Sequence, residues 1–139
     1  MNLEFFLKFC AVIQMGIAIL NLFLVRIMNW KEDLNRLPLL IREVFHVHSW
    51  FISLILTLFA VMTWRFGAEM ARGTNPACTW LAGGIGIFWL FRAFLQIGYY
   101  SSSHWKGRVD RTLIHIACLI VYGGMALVYL IVWKGGGME

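Results

Sequence analysis

The chain has 139 residues, of which 60% are hydrophobic and only 14% charged, with a formal net charge of +5. Soluble domains carry ~25% charged residues, so this composition, with a mean hydropathy of +0.73, excludes a water-soluble globular protein. The basic excess sits in short connections beside apolar segments, with no nucleic-acid motif. It therefore reads as the charge that orients a membrane protein rather than as a nucleic-acid surface.

Apolar runs of the ~17–25 residues needed to cross a bilayer recur along the whole sequence. The expected fold is all-α: an integral membrane four-helix bundle with up-down-up-down topology, in a single transmembrane domain over 1–139. The opening MNLEFFLKFC lacks the basic region and small-residue cleavage site of a signal peptide, and reads as the start of a first membrane helix over 3–28. Gln14 and Asn21 share one face of it, and Ala11 and Ala18 make that side narrow. The connection 29–42 is charged at its start, and Pro38 breaks helix geometry.

The second helix is expected over 43–64. Its inward stripe reads His46, Ser49 or Trp50, Ser53, Thr57 and Ala60, with Ile52, Ile55, Leu56 and Phe59 toward lipid. His46 and His48 project about 200° apart on a helix and do not share a site. A polar loop follows over 65–76.

The third helix, over 79–100, begins with Ala82, Gly83, Gly84 and Gly86. This small-residue set permits close helix contact and lowers helix propensity, so local irregularity is expected there. The row Ile85, Trp89, Arg92, Gln96 and Tyr99 makes one face. A basic loop follows, and Asp110 is placed to cap the next helix. In the fourth helix, over 111–133, Arg111, His115, Cys118, Tyr122, Met125 and Tyr129 form one stripe. Gly123 and Gly124 offer a second close-contact point. Cys10, Cys78 and Cys118 form no CxxC pair, which leaves no thiol-redox or structural-zinc signature.

Orientation follows from the basic residues. Arg26, Lys31, Arg36, Arg42, Lys106, Arg108 and Arg111 fall on one side; Lys8, Arg65, Arg72 and Lys134 fall on the other. The positive-inside rule places the first set in the cytoplasm and both termini outside, in a bacterial inner membrane or its equivalent. All 4 histidines then lie toward the cytoplasm. Asn21, His46, Ser49, Ser53, Arg92, Gln96, Tyr99, His115 and Cys118 are at similar depth on the polar sides of their helices. The expectation is a polar pocket open to the cytoplasm.

Arg92 is its centre, because an arginine at membrane depth is costly and needs a partner, a water path or a function. The first reading is a site for an anionic or carbonyl-bearing lipophilic ligand such as a quinone or lipid. Arg92 anchors it, Gln96 and Tyr99 orient it, and Asn21, His46 and Ser53 line it. Trp50, Trp89 and Tyr122 supply walls. His115 is the candidate catalytic or axial group, and Cys118, one turn away, gives the option of a Cys/His pair. The residues name no reaction. The second reading is an accessory or assembly subunit, with membrane-protein partners or further copies of itself, in which the polar row only holds helices together. The third is a haem b protein with His46 and His115 as axial metal ligands and Arg92 near the propionates. A non-haem metal drawing also on His48 and His104 ranks lower, since His46 and His48 oppose one another and the helix cores contain no carboxylate. The plain alternative for His46 is an interfacial residue. For His115 it is a hydrogen bond to Tyr99 or Gln96.

Overall fold

The computed structural model of the chain describes residues 2–99, 107 and 109–135. Among these residues the fold is all-α. In chain order the helices are α1 (Leu3–Ile27), α2 (Lys31–Asn35), α3 (Leu39–Arg72), α4 (Pro76–Gly98) and α5 (Val109–Gly135). The other four, α2 excepted, are each long and apolar enough to cross a membrane, and the chain is a multi-pass membrane protein. Phe9, Leu58, Phe91 and Ile120 are among the large apolar side chains left exposed along these helices. Contiguous apolar surface on this scale suits hydrocarbon rather than water. A helix suits the same solvent, because it satisfies its backbone groups internally.

A few residues set where the helices end. Asn29 takes a left-handed φ of 56° after α1. The Pro38 carbonyl accepts from the Arg42 amide at 3.1 Å, so the proline that cannot continue a helix stands at the head of α3 instead. The polar loop expected over 65–76 is helical as far as Arg72. What stops α3 is Gly73, with a φ of 66° and its amide donating to the Glu69 carbonyl at 3.1 Å. A left-handed glycine in this place closes a helix at little steric cost. Asn75 then caps α4, its Oδ1 accepting from the Ala77 amide at 3.0 Å, and Pro76 occupies the first turn. Asp110, expected as a cap, lies inside the first turn of α5, where its charge complements the helix dipole.

The chain divides into two compact units, Lys8–Arg65 and the pair Met1–Leu7 with Phe66–Glu139. In the Lys8–Arg65 unit, α1 buries Ala11, Gln14 and Ala18, and α3 buries Ser53, Leu56, Ala60 and Thr63. Steps of three and four keep each set on one face. The alanines allow close approach: Ser53 Oγ donates to the Ala18 carbonyl of α1 at 3.0 Å. Two expected orientations on α3 are corrected. Leu56, expected toward lipid, is only 2% exposed, whereas Trp50, a candidate wall, is 62% exposed. Thr57 is half-buried, and its hydroxyl donates to the Ser53 carbonyl of its own helix at 2.8 Å, so it needs no partner across the interface.

In the other unit α4 packs along α5. A Cβ on Gly83 would stand 2.7 Å from the Trp133 indole, and one on Gly86 would stand 3.0 Å from Leu130. Those glycines let the helices meet, and α4 stays helical through them rather than turning irregular. Trp133 also packs on Trp80, ring centroids 5.7 Å apart. Trp89, Met125, Ala126 and Tyr129 fill the interior. The second close contact expected at Gly123 and Gly124 is not seen: a Cβ at either meets nothing within 4 Å among the described residues.

Candidate functional site

Arg92 and Gln96 are four residues apart on α4 and therefore share a face. His115 is on α5. By ~1.5 Å per residue, Arg92 and His115 each lie about 9 Å from the ends of α4 and α5 that adjoin in the chain. The three side chains form a line. Arg92 Nη1 donates to Gln96 Oε1 at 3.0 Å, and Gln96 Nε2 meets His115 Nδ1 at 3.0 Å.

The chemistry of the groups fixes the direction of this line. A guanidinium has donors only, so the amide oxygen of Gln96 must face Arg92. The amide nitrogen, also a donor, then faces His115. His115 Nδ1 must accept, which puts the ring proton on Nε2. The tautomer is thus assigned by hydrogen-bond roles. Gln96 is only 9% exposed, and both ends of its amide are satisfied. A buried amide left unsatisfied would cost ~1–3 kcal/mol.

Tyr122 of α5 completes the arrangement. The Arg92 guanidinium carbon lies 4.6 Å from the centre of the Tyr122 ring, a cation–π geometry. The same ring stacks on Trp89, with centroids 5.4 Å apart and planes at 21°. Trp89 is buried and one turn before Arg92, so α4 grips Tyr122 with an apolar plane and a cation together. Gln96 and Tyr122 hold Arg92 in place, and neither is anionic. Among the described residues no buried side-chain nitrogen or oxygen lacks a partner.

The remaining candidates fall elsewhere. Tyr99, expected to orient the same ligand, stands at the C-cap of α4 and is 80% exposed, because the row to which it belonged runs off the end of the helix. Asn21 and Ser53 meet one another in the Lys8–Arg65 unit. Asn21 Nδ2 donates to Ser53 Oγ at 2.9 Å and to the Ser49 carbonyl at 2.8 Å. Ser53 passes its own proton to the Ala18 carbonyl, so this cluster closes on the backbone. His46 is half-buried in that unit and edge-on to Phe45 at 5.8 Å. His48 is exposed, its Nδ1–H donating to the Val44 carbonyl at 3.0 Å. His104 lies outside the described residues.

His115 does not offer a metal ligand in this arrangement. Nδ1 is engaged by Gln96 and Nε2 carries the proton, whereas an axial or zinc-binding imidazole needs a bare nitrogen on the metal and the other nitrogen donating. Turning the ring chemistry around would point the Gln96 NH₂ at a guanidinium, donor against donor. Among the described residues no group of three or more His, Cys, Asp or Glu is placed to hold a metal ion. Cys118 is half-buried one turn from His115, whose Nδ1 is engaged by Gln96.

One contact had no expectation behind it. At the α3–α4 turn, Glu69 Oε2 accepts from Cys78 Sγ at 3.5 Å and from Asn75 Nδ2 at 3.4 Å. This ties the end of one helix to the start of the next, and the only signal in the sequence is the cap residue Asn75. Comparison with protein-family models, curated proteins and solved structures finds no match.

Proposed function

We propose that this membrane protein binds an anionic or carbonyl-bearing lipophilic ligand, such as a quinone or a lipid, at the polar edge formed by Arg92 and His115. The observation that carries this reading is the directed line Arg92–Gln96–His115, laid against the Tyr122 and Trp89 rings. Glue between helices needs only that donors and acceptors match. Here a permanent cation is kept at membrane depth, its orientation fixed by an amide and an aromatic face. Holding a charge there is costly and is a mark of ligand or ion handling. Arg92 is the anchor, Gln96 the orienting residue, His115 the second donor, and Tyr122 with Trp89 the apolar wall. The orientation that suits this reading puts the site toward the cytoplasm of a bacterial inner membrane or its equivalent, with both termini outside, as the basic connection after α1 favours.

The rival is an accessory subunit, and one observation favours it. The Gln96–His115 bond is also the interhelical contact that simple packing would make. Native mass spectrometry of the purified protein, released from detergent micelles, separates the two. A bound species of lipid or quinone mass that is lost in Arg92→Leu, with the protein still folded, supports the ligand reading. A ligand-free protein recovered in fixed ratio with other membrane chains, unaffected by Arg92→Leu, rejects it.

A further inference from the structure

We propose that the connection between α1 and α3 is a lipid-binding foot. Its exposed leucines lie in the headgroup layer, and Arg26, Lys31 and Arg36 select anionic phospholipids there over zwitterionic ones. The proposal is independent of the ligand reading above and draws on residues of the Lys8–Arg65 unit alone.

The connection is a folded block rather than a slack loop. Asn29, with its φ of 56°, turns the chain, and the Trp30 amide then donates back to the Val25 carbonyl of α1 at 2.9 Å. Leu34, only 7% exposed, seats α2 on the unit, and its amide donates to the Trp30 carbonyl at 2.9 Å. Arg42 Nη1 donates to Asn35 Oδ1 at 3.2 Å, which ties α2 to the first turn of α3. The outward side of this block is apolar: Leu37, Leu39, Leu40 and Ile41 are exposed, Leu40 to 71%. Arg42, Glu43, His46 and His48 separate these side chains from the uncharged run 49–64, so the spanning stretch does not account for them. With 34 residues, α3 rises about 51 Å. That is enough to cross the ~40–45 Å of a bilayer with its headgroups. Its first turn then stands at headgroup level, where the upper acyl chains cover an exposed apolar patch.

Charge decides which lipid. Arg26 is exposed in the last turn of α1, and Lys31 and Arg36 are exposed at the start and the C-cap of α2. Such long side chains reach interfacial phosphates while their stems stay on apolar surface. Glu32 and Asp33 are exposed on α2 as well, but they are shorter, and Glu32 stands roughly opposite the seated Leu34. Acidic residues also count for little against basic ones beside a membrane segment. A lipid surface asks that basic groups be exposed at one level, not that they converge on a single oxygen.

The test uses the full-length protein in vesicles of phosphatidylcholine with phosphatidylglycerol. Leu40→Trp places an indole on the exposed patch, and its emission is taken as the difference from the wild type. Phospholipids brominated near the headgroup quench an indole that they touch. The expected result is a preference for brominated phosphatidylglycerol over brominated phosphatidylcholine of about threefold in relative binding, falling to parity in about 0.5 M salt. Adding Arg26→Gln, Lys31→Gln and Arg36→Gln together removes the preference at low salt. All three side chains are exposed, and an unchanged helical circular dichroism spectrum checks that this variant folds. The salt arm reads the same charge effect with no basic residue replaced. Equal quenching by the two lipids at low salt overturns the selectivity. A preference that survives the triple substitution overturns its assignment to these residues. An indole quenched by acrylamide and by neither lipid lies in water, and one quenched by none of the three is covered by protein, a second copy or another chain. Either result overturns the foot.

Discussion

Two polar clusters interrupt the apolar helices, and they are built on opposite plans. In the Lys8–Arg65 unit, Asn21, Ser49 and Ser53 pass hydrogen bonds among themselves and end on the Ala18 and Ser49 carbonyls. Every group there is small and neutral, and the network returns to the backbone of the helices it joins. In the other unit the line begins at a fixed cation, runs through Gln96, and ends on the accepting ring nitrogen Nδ1 of His115. One network returns to backbone carbonyls, and the other has polarity, with a charged end and an accepting end. The lesson is that polar residues at membrane depth are not one category. A closed network explains itself as adhesion between helices. A directed one has a fixed sense, from guanidinium through amide to ring, that adhesion does not require.

Substitutions that touch one plan and spare the other break or sharpen this contrast. The largest effect is expected from Gly83→Val. Its side chain collides with the Trp133 indole and shifts α5 against α4, which also misaligns His115 with Gln96. A loss of about 3 kcal/mol, of the order seen on overpacking, should appear as a lowered thermal midpoint in detergent together with loss of ligand. Next comes Arg92→Leu, which should weaken binding of a quinone or fatty-acid probe by about 2 kcal/mol, roughly thirtyfold in Kd, while the thermal midpoint moves much less. If it instead lowers stability and leaves binding alone, the directed line is adhesion after all. Ser53→Ala should show the reverse pattern: about 1 kcal/mol of stability lost in a denaturation titration in bicelles, with probe affinity unchanged. The smallest effect is expected from Gly123→Ala. A methyl there meets open space among the described residues, so stability should stay within about 0.5 kcal/mol of the wild type by the same titration.

Much of this was legible in the sequence, for physical reasons that also explain the rest. Four apolar runs mark four long helices because hydrocarbon thickness sets a minimum length. Hydropathy says nothing of how far a helix continues into water, and so α3 runs on past Trp64 through Arg65, Glu69 and Arg72 until Gly73 stops it. Arg92, Gln96 and His115 could be grouped from depth and spacing alone. Tyr99 fitted the same spacing but lay beyond the last full turn. Thr57, expected on the inward stripe, is half-buried, and the carbonyl four residues back satisfies its hydroxyl, which spacing alone does not reveal. Gly83 and Gly123 look alike in sequence, and only the Trp133 ring distinguishes them. A glycine permits contact without specifying it. The sense of the Arg92–Gln96–His115 line was beyond reach, since it depends on which atom of an amide faces which neighbour.

The stack of Trp89 on Tyr122, with Arg92 over the same phenol, gives the protein an optical gauge of its own. Indole emission responds to the fields and quenchers next to it, and here the ring stacked on the indole also lies beneath the cation. Anything that draws the guanidinium away from Tyr122 changes the surroundings of one indole among 7 tryptophans. The difference in emission between the wild type and Trp89→Phe isolates that signal. Occupancy beside Arg92 then becomes visible as a change in colour or intensity, without a label and without knowing beforehand what the occupant is.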